Sequence, residues 1–507
     1  MNKVNIKSEK EIKRSAKMEF IARITLEDGS IEERTVEVDG GVPGMGDMDF
    51  SSIAGVQRSF SVYEQATISA SNKLREEIAD SYMKRLSKKE QGVAERLCEI
   101  ECETGRINVY LYGDVCSSLG PKERIWDVSL ADKILSLASD TSYAKATNYT
   151  NGFLHREKGR SLCLKTVEDF AARVGEAIGS AYSQKADAIL TECGIDSVTG
   201  IPKECSEIQE SVLKPVGIAK SDKQLVYEVA NRYNEARERQ LQIPSDMMSL
   251  LPEGNPKECI YVYADDVLVK HQKDSHKPDS KRDSKFVYNS VISIQHGDKQ
   301  YSIASKGMRE AFKRLMAFLL SGHLLENRQL IFISDGATEI RDCIEQYFWF
   351  RQHTLYLDWF HLQQKCYQYL SSALKCGKKM KEDKERIEKR LYGILWTGNT
   401  KGALDYIDSI ESKYIKSQDA IDSLKGYIER KKEYIPCYAI RKGLGLHNSS
   451  NPVEKDNDLL VAKRQKGKGM AWSVDGSAAL AAITVAGRNK ERIDILYGRE
   501  PGFAFAA

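Results

Sequence analysis

The sequence predicts an α/β protein whose core is a mixed β-sheet. Apolar, β-branched runs between residues 258 and 361 alternate with helical patterns, and a nearly all-helical stretch follows to about residue 446. The region before residue 258 mixes strand and helix patterns. At 507 residues the chain is too long for one ordinary core, and 41% apolar with 29% charged residues is typical of a globular protein. We therefore expect several domains.

The N-terminal region combines a hairpin pattern with a long helical pattern. Two alternating runs within 20–38 flank the turn sequence Asp28-Gly29-Ser30. Residues 68–100 are charged and helical in period, so we expect a single helix there. A short strand is expected at 108–112. We interpret this region as α+β.

Three helices are predicted next, at 130–139, 141–153 and 164–182. The third has apolar residues at spacings of three and four and follows a polar connection. That arrangement is typical of a helix-turn-helix DNA-binding domain. A plain three-helix bundle is the alternative, and the spacing does not separate the two.

The pattern from residue 258 onward is β-β-β-α-β-α-β. The strands are expected at 259–269, 285–295, 300–305, 330–334 and 353–357, and the helices at 307–319 and 338–348. Three strands in a meander followed by crossover units form the ribonuclease H-like arrangement. In that arrangement the first strand is central and the fourth is its neighbour.

A helical insertion and a well-capped helix complete the predicted core. Residues 362–446 carry long Lys/Glu-rich helical runs, and 451–465 reads as a helix with Asn451 at its cap and Pro452 in its first turn. The full division has six parts: an N-terminal α+β region (1–104), a helix-turn-helix-like DNA-binding domain (105–200), a helical linker (201–257), the catalytic core's first part (258–361), the helical insertion (362–446), and the core's last part with a tail that ends loosely (447–507).

Acidic residues lie at the carboxyl ends of the predicted strands, where ligands collect in open α/β sheets. Asp265 and Asp266 lie on the first strand and face opposite sides of the sheet. Asp335 ends the neighbouring fourth strand, so Asp265 and Asp335 are expected side by side. Glu454, on the capped helix, is the best candidate for a third carboxylate.

Three converging carboxylates supply the hard oxygen donors that Mg²⁺ requires. Two such ions, ~4 Å apart, can activate an attacking oxygen and stabilise a leaving oxygen in phosphodiester chemistry. Structural alternatives exist for each residue: Asp335 as a helix cap, Glu454 as a capping-box residue, and Asp265 or Asp266 as the partner of a lysine.

Charge and cysteine content restrict the class of protein. The net charge is only +3, but basic runs cluster around the acidic positions, with Lys365, Lys463, Arg464, Lys466 and Lys468 as candidate DNA contacts. The 11 cysteines are scattered and Cys98 and Cys102 have helical spacing, so reduced structural thiols are expected, with a zinc site as the alternative. No apolar run reaches the ~18–20 residues of a membrane span, and the charged start predicts a cytoplasmic protein.

Four stretches carry a resemblance to a known family. The chain resembles DDE-type bacterial insertion-sequence transposases with a helical insertion, a group that includes hAT-like and Mutator-like relatives. The resemblance spans about 105–490, and LDWFH matches the Asp/Cys-x-x-His signature that follows the second catalytic Asp. The stretches are YVYADDVLVKHQK (261–273), FISDGATEIRD (332–342), LYLDWFHLQQK (355–365) and NPVEKDNDLLVAKRQKGKGMAWSVDGSAAL (451–480).

The resemblance implies roles for particular residues. Asp265, Asp335 and Glu454 would be the catalytic and metal-binding triad for two Mg²⁺ ions, with Mn²⁺ as a substitute. Asp358 and His361 would support the site. The family often carries Gly where this chain has Asp266, which leaves open an exchange of roles with Asp265. Trp396 would stack on a base of the transposon end, an interaction worth ~1–3 kcal/mol; the alternative is a core aromatic.

The sequence therefore predicts a DNA transposase that cleaves transposon ends and joins their 3′-hydroxyls to target DNA. Its partners would be double-stranded DNA and a second copy of the chain, because two ends must be held together. It would act at the bacterial nucleoid. The alternatives are a ribonuclease H-like nuclease or resolvase without strand transfer, and a domesticated, non-catalytic DNA-binding protein.

Overall fold

The computed structural model describes most of the chain as two compact units. One unit comprises Met1–Leu137 and Tyr143–Val167, and the other comprises Ala138–Ser142 and Glu168–Ala507. The described residues are 19–25, 29–37, 51–87, 95–112, 124–154, 161–202, 219–272, 285–326, 328–375, 377 and 380–506.

The first unit contains two small sheets and a long helix. The predicted hairpin is present as the antiparallel pair β1 and β2; Asp28 of its turn lies outside the described residues. A second sheet has the order β4-β3-β5. The elements are β1 (Glu19–Thr25), β2 (Ile31–Glu37), α1 (Ile53–Ser87), β3 (Glu95–Cys102), β4 (Gly105–Tyr112) and β5 (Ile125–Trp126).

The prediction of one helix over 68–100 is wrong at its C-terminal end. In β3, Cys98 and Cys102 are buried while Leu97 and Glu99 on either side of Cys98 are exposed, as on a strand with one covered face. Two residues four positions apart lie on one face of a strand as well as on one face of a helix, so the spacing of the two cysteines does not distinguish the two structures. Both cysteines are free thiols. The domain boundary predicted between residues 104 and 105 falls in the turn that connects β3 and β4.

Three helices follow β5, as predicted. They are α2 (Val128–Asp140), α3 (Tyr143–Phe153) and α4 (Leu164–Glu192), and α4 continues beyond its predicted end at residue 182. The helix-turn-helix role of this segment remains a prediction.

A five-stranded mixed sheet forms the centre of the second unit. Its order is β10-β9-β6-β7-β8, with β6, β7 and β8 antiparallel and β6, β9 and β10 parallel. The predicted element order is confirmed, and the first strand is central with the fourth beside it. The strands are β6 (Cys259–Lys270), β7 (Phe286–His296), β8 (Lys299–Ser305), β9 (Gln329–Ser334) and β10 (His353–Leu357).

Helices cover both faces of this sheet. Before β6 come α5 (Lys223–Glu235) and α6 (Ser245–Ser249). On one face, α7 (Met308–Ser321) packs against β7 and β8, and α8 (Thr338–Phe348) packs against α7. The opposite face is covered by elements that follow the helical insertion.

The helical insertion has its own apolar core. Leu362, Leu391 and Leu424, from three of its helices, are each 0% exposed. The helices are α9 (Trp359–Ala373), α10 (Lys381–Trp396), α11 (Thr400–Asp408), α12 (Gln418–Lys431) and α13 (Tyr438–Gly443). The all-helical prediction for this segment is confirmed over its described residues.

The chain then returns to the sheet through α14 (Asn451–Asn457), a π-helical turn (Asp458–Ala462) and α15 (Lys463–Gln465). α14 packs against β6 and β7. The cap residue is Ser450 rather than Asn451, since the backbone of Ser450 accepts the first hydrogen bonds of the helix.

Two last helices, α16 (Val474–Arg488) and α17 (Arg492–Leu496), end the fold. The expected loose tail is wrong. Phe503 is 1% exposed, because Glu491 accepts hydrogen bonds from the backbone N–H groups of Gly502 and Phe503. Within the described residues, every helix is too short or too polar to cross a bilayer.

Candidate functional site

The two strand-borne carboxylates lie level with each other. β6 and β9 run parallel, with Tyr263 opposite Ile333 and Ala264 opposite Ser334. Asp265 and Asp335 are the next residue on each strand. The sheet register therefore places both at the same edge, as the sequence predicts.

Asp265 faces the helix α14. Its Oδ2 accepts a hydrogen bond of 2.6 Å from Nδ2 of Asn457, and its Oδ1 accepts one of 2.8 Å from the backbone N–H of Asp266. Asp266 points to the other face, where its Oδ1 accepts a bond of 2.6 Å from the hydroxyl of Ser290. Only Asp265 of this pair therefore contacts the helix that carries Glu454.

Asp335 is held by the turn that follows β9. Its Oδ1 accepts a hydrogen bond of 2.7 Å from the backbone N–H of Ala337. Gly336 between them has a φ of 74°, a conformation that favours glycine, and a Cβ there would lie 2.9 Å from the side chain of Leu357. The tight turn therefore fixes the carboxylate at the end of the strand. Ala337, not Asp335, is the cap residue of α8.

Glu454 is connected to the D-x-x-H segment. Its Oε1 lies 3.2 Å from Nε2 of His361. Asp358 is 1% exposed, caps α9 through the backbone N–H of His361 at 2.7 Å, and accepts a hydrogen bond from the backbone N–H of Ser450 at the start of α14. Asp358 thus joins the beginning of α9 to the beginning of the helix that bears Glu454. The capping-box alternative for Glu454 does not apply, since its side chain turns to His361.

A buried ion pair holds the segment that leads into α14. Glu253 and Arg441 are 0% and 1% exposed, and Arg441 binds both carboxylate oxygens, at 2.5 and 2.7 Å. The same guanidinium donates to the backbone oxygen of His447 at 2.7 Å and to Oδ1 of Asn448 at 3.1 Å. Tyr261 donates its hydroxyl hydrogen bond to Glu253 at 3.1 Å. Every polar group of the pair is therefore matched by a partner, as a buried pair requires.

His447 packs the same segment onto the central strand. Its ring stacks on Tyr261 with centroids 4.3 Å apart, and its Nδ1 is hydrogen-bonded to the hydroxyl of Tyr263. Both tyrosines share the sheet face of Asp265. Burial lowers the pKa of His447, which keeps the imidazole neutral in this packing. The sequence analysis does not predict this network; its only signal is Arg441 directly after the apolar residues 438–440.

The charges of the neighbouring carboxylates affect the pKa of Asp265. Burial, together with the negative charges of Glu454 and Asp335, raises the pKa of Asp265 from 3.8 to about 6, against the hydrogen bonds from Asp266 and Asn457. Three carboxylates crowded at a partly buried site disfavour full ionisation unless a cation is present. Among the described residues, however, no three acidic, His or Cys side chains are already arranged as a metal-coordinating group.

Trp396 lies in a packed position. Its ring is partly buried, 4.7 Å from Trp359 and 5.7 Å from Tyr438 between centroids, and it contacts the insertion core. These contacts favour the core alternative over base stacking.

Of the five basic residues predicted to contact DNA, one is buried and four are exposed. Arg464 is 4% exposed, donates to the backbone oxygen of Ala138 at 2.9 Å and lies 5.0 Å from the ring of Trp472. Its guanidinium is therefore bound within the protein and is not available to DNA. The side chains of the remaining candidates are exposed: Lys365, Lys463, Lys466 and Lys468.

Comparisons with known proteins give little further information. No protein-family model and no curated protein matches the chain. Among solved structures, the Drosophila P element transposase strand transfer complex is similar with a TM-score of 0.29 and 10% identity, over 75% of this chain and 96% of that one. Neither value is high enough to show a common fold, so the functional assignment depends on the residues themselves.

Proposed function

We propose that the chain is a DNA transposase with a ribonuclease H-like core, which cleaves phosphodiesters at transposon ends and joins the 3′-hydroxyls to target DNA. The observation that carries this proposal is that Asp265, Asp335 and Glu454 lie on elements that meet at one edge of the central sheet. They come from a central strand, its parallel neighbour and a helix held over the same sheet face.

The donor set fits a divalent cation. Carboxylate oxygens are the ligands that Mg²⁺ prefers, and Mn²⁺ accepts the same set. Burial and, after it, the charges of Glu454 and Asp335 raise the pKa of Asp265, and a bound cation would offset both effects. A pair of such ions, when bound, supplies activation of the attacking oxygen and stabilisation of the leaving oxygen.

The remaining residues of the site position these three. His361 orients Glu454, and Asp358 fixes the start of α14 relative to α9. Loss of a residue that orients a metal ligand typically lowers metal affinity by ~10–100-fold. Asp266 is a less suitable ligand because its side chain points to the opposite face of the sheet, where it accepts a hydrogen bond from Ser290.

The exposed lysines provide a surface for the DNA backbone. Lys466 and Lys468 follow α15, and Lys365 lies one turn after His361 on α9. Phosphate contacts from such side chains position DNA without reading its sequence. We propose the helices α2–α4 as a sequence-reading module, and a dimer or larger assembly to hold two ends.

Cleavage of a labelled element end, with Mg²⁺ added or withheld, tests the proposal. Asp335→Asn should lower metal-dependent cleavage by ~100-fold or more, since it removes a charged group at the reacting centre, while DNA binding persists. Asp342→Asn is the matched control, because Asp342 lies on α8 with a side chain 60% exposed. Unimpaired cleavage by Asp335→Asn would contradict the assignment. Cleavage without joined products would favour a nuclease instead.

A further inference from the structure

Asn457 is a buried polar side chain directed at the carboxylate site. It is 8% exposed, and its Nδ2 donates to Oδ2 of Asp265 at 2.6 Å. Its Oδ1 is buried and has no hydrogen-bond partner. Buried polar atoms in folded proteins are nearly always paired, so an orphaned carbonyl oxygen at this position needs an explanation.

The backbone around Asn457 is anchored. The neighbouring Asp456 is 0% exposed, accepts a hydrogen bond of 2.7 Å from the hydroxyl of Ser302, and pairs with Arg488 at 2.8 Å. A π-helical turn starts directly after Asn457, and such turns occur frequently at functional sites. The side chain can therefore change its contacts by rotation about its own bonds while the helix stays in place.

The position of the amide suits a cation ligand. Half a turn of the amide would place Oδ1 where Nδ2 now lies, 2.6 Å from Oδ2 of Asp265. Two oxygens with no proton between them approach so closely only beside a shared cation. Adjacent ligands of an octahedral Mg²⁺ with bonds of ~2.1 Å are ~3.0 Å apart, so a shift of a few tenths of an ångström would suffice.

We propose that Asn457 is a fourth protein ligand of the cation site, and that its amide turns over when the cation binds. Without the cation, Nδ2 donates to Asp265 and restrains the crowded carboxylate. With the cation, the Oδ1 atom takes the inner position and gains the partner that it lacks. This inference rests on the proposed function, since it concerns the cation held by Asp265, Asp335 and Glu454.

Titration of the metal-free full chain with Mn²⁺ tests this role without any cleavage assay. Binding is measured as the decrease in the electron paramagnetic resonance signal of free Mn²⁺. Asn457→Ala should weaken binding by ~10-fold or more, the range for residues that support metal ligands. Asn457→Asp should bind at least as tightly as the wild type, because it keeps an oxygen in place and adds charge.

Asn289→Ala is the matched control. Asn289 is also a buried asparagine with an unpartnered Oδ1, but its Nδ2 donates to Ser477 at 2.7 Å, and none of its hydrogen bonds reaches the carboxylates. The affinity of the Asn289→Ala variant for Mn²⁺ should equal that of the wild type. If Asn457→Ala does not fold, as judged by circular dichroism, Asn457→Ser replaces it with the same expectation, because the serine side chain is too short to reach the cation position.

The possible results separate the two proposals. Equal or tighter Mn²⁺ binding by Asn457→Ala overturns the ligand role and leaves the three-carboxylate site intact. Failure of the wild type to bind Mn²⁺ overturns the proposed metal site itself and the role of Asn457 with it.

Discussion

The two halves of the candidate site are positioned by different kinds of interaction. Asp265 and Asp335 are placed by the backbone register of two parallel strands within an apolar sheet. Glu454 is placed by a segment that returns from the helical insertion and is held by buried polar contacts, above all those of Glu253 and Arg441. Many small contacts determine the positions of Asp265 and Asp335, whereas a few strong contacts determine the position of Glu454. A single substitution should therefore disturb the segment that carries Glu454 more than it disturbs the strands.

Arg441→Ala should have the largest effect on stability. It leaves the carboxylate of Glu253 buried without its partner, and breaking a buried pair in this way costs ~3–5 kcal/mol of the free energy of unfolding. Urea unfolding monitored by circular dichroism measures the change. Arg341→Ala, at a side chain 33% exposed on α8, should change it by less than ~0.5 kcal/mol. Equal costs for the two variants would show that the pair does not hold the returning segment.

Trp396→Ala should have the next largest effect. The ring packs against Trp359 and Tyr438 at the junction of the insertion, and truncating a partly buried aromatic costs ~2 kcal/mol, below the 3–5 kcal/mol of a fully buried one. Trp349→Ala, at a residue 59% exposed, should leave unfolding almost unchanged. A Trp396 variant of wild-type stability that binds DNA but fails to process it would restore the base-stacking role.

The contrast also explains what the sequence predicts well. The five strands and their order follow from apolar runs of period two and from turn residues, and these place Asp265 and Asp335 with no knowledge of side-chain contacts. The capped helix over 451–465 and the family resemblance predict Glu454. Asn457 lies three residues later on the same helix, so the helical period could have placed it on the same face.

Contacts between distant polar residues were not predictable in the same way. Glu253 and Arg441 are separated by 188 positions, and no periodic pattern connects them. The sequence places Arg464 in a basic run typical of a surface, whereas its side chain is buried and donates to the backbone oxygen of Ala138. The burial of a charged residue depends on tertiary structure, so composition alone assigns such residues to the surface.

Asp265→Asn should have a smaller and opposite effect, raising the stability of the metal-free protein near neutral pH. The folded-state pKa of Asp265, about 6, lies above the ordinary 3.8, so the stability that this group contributes is fully present below pH 3.8 and is lost as pH rises through 6. The full difference corresponds to ~3 kcal/mol, and partial exposure reduces it to ~1–2 kcal/mol.

Thermal unfolding in a chelating buffer at pH 4 and pH 7.5 measures this difference. The melting temperature of Asp265→Asn should exceed that of the wild type at pH 7.5 and approach it at pH 4. In the Asp265→Asn variant, the amide group of Asn457 can turn over. Its Oδ1, which is unpartnered in the wild type, can then accept a hydrogen bond from the amide at position 265. A variant less stable than the wild type at pH 7.5 would show that the carboxylate is not strained by its surroundings.

The most direct test of the central claim, that both halves form one cation site, is cleavage of the protein backbone by bound iron. Fe²⁺ replaces Mg²⁺ in the free protein, and ascorbate with peroxide generates radicals that cut the chain next to the ion. We expect cuts close to residues 265, 335 and 454 together, all suppressed by excess Mg²⁺ and by Asp335→Asn. Cuts at only one of these segments, or cuts that persist in Asp335→Asn, would contradict a shared site.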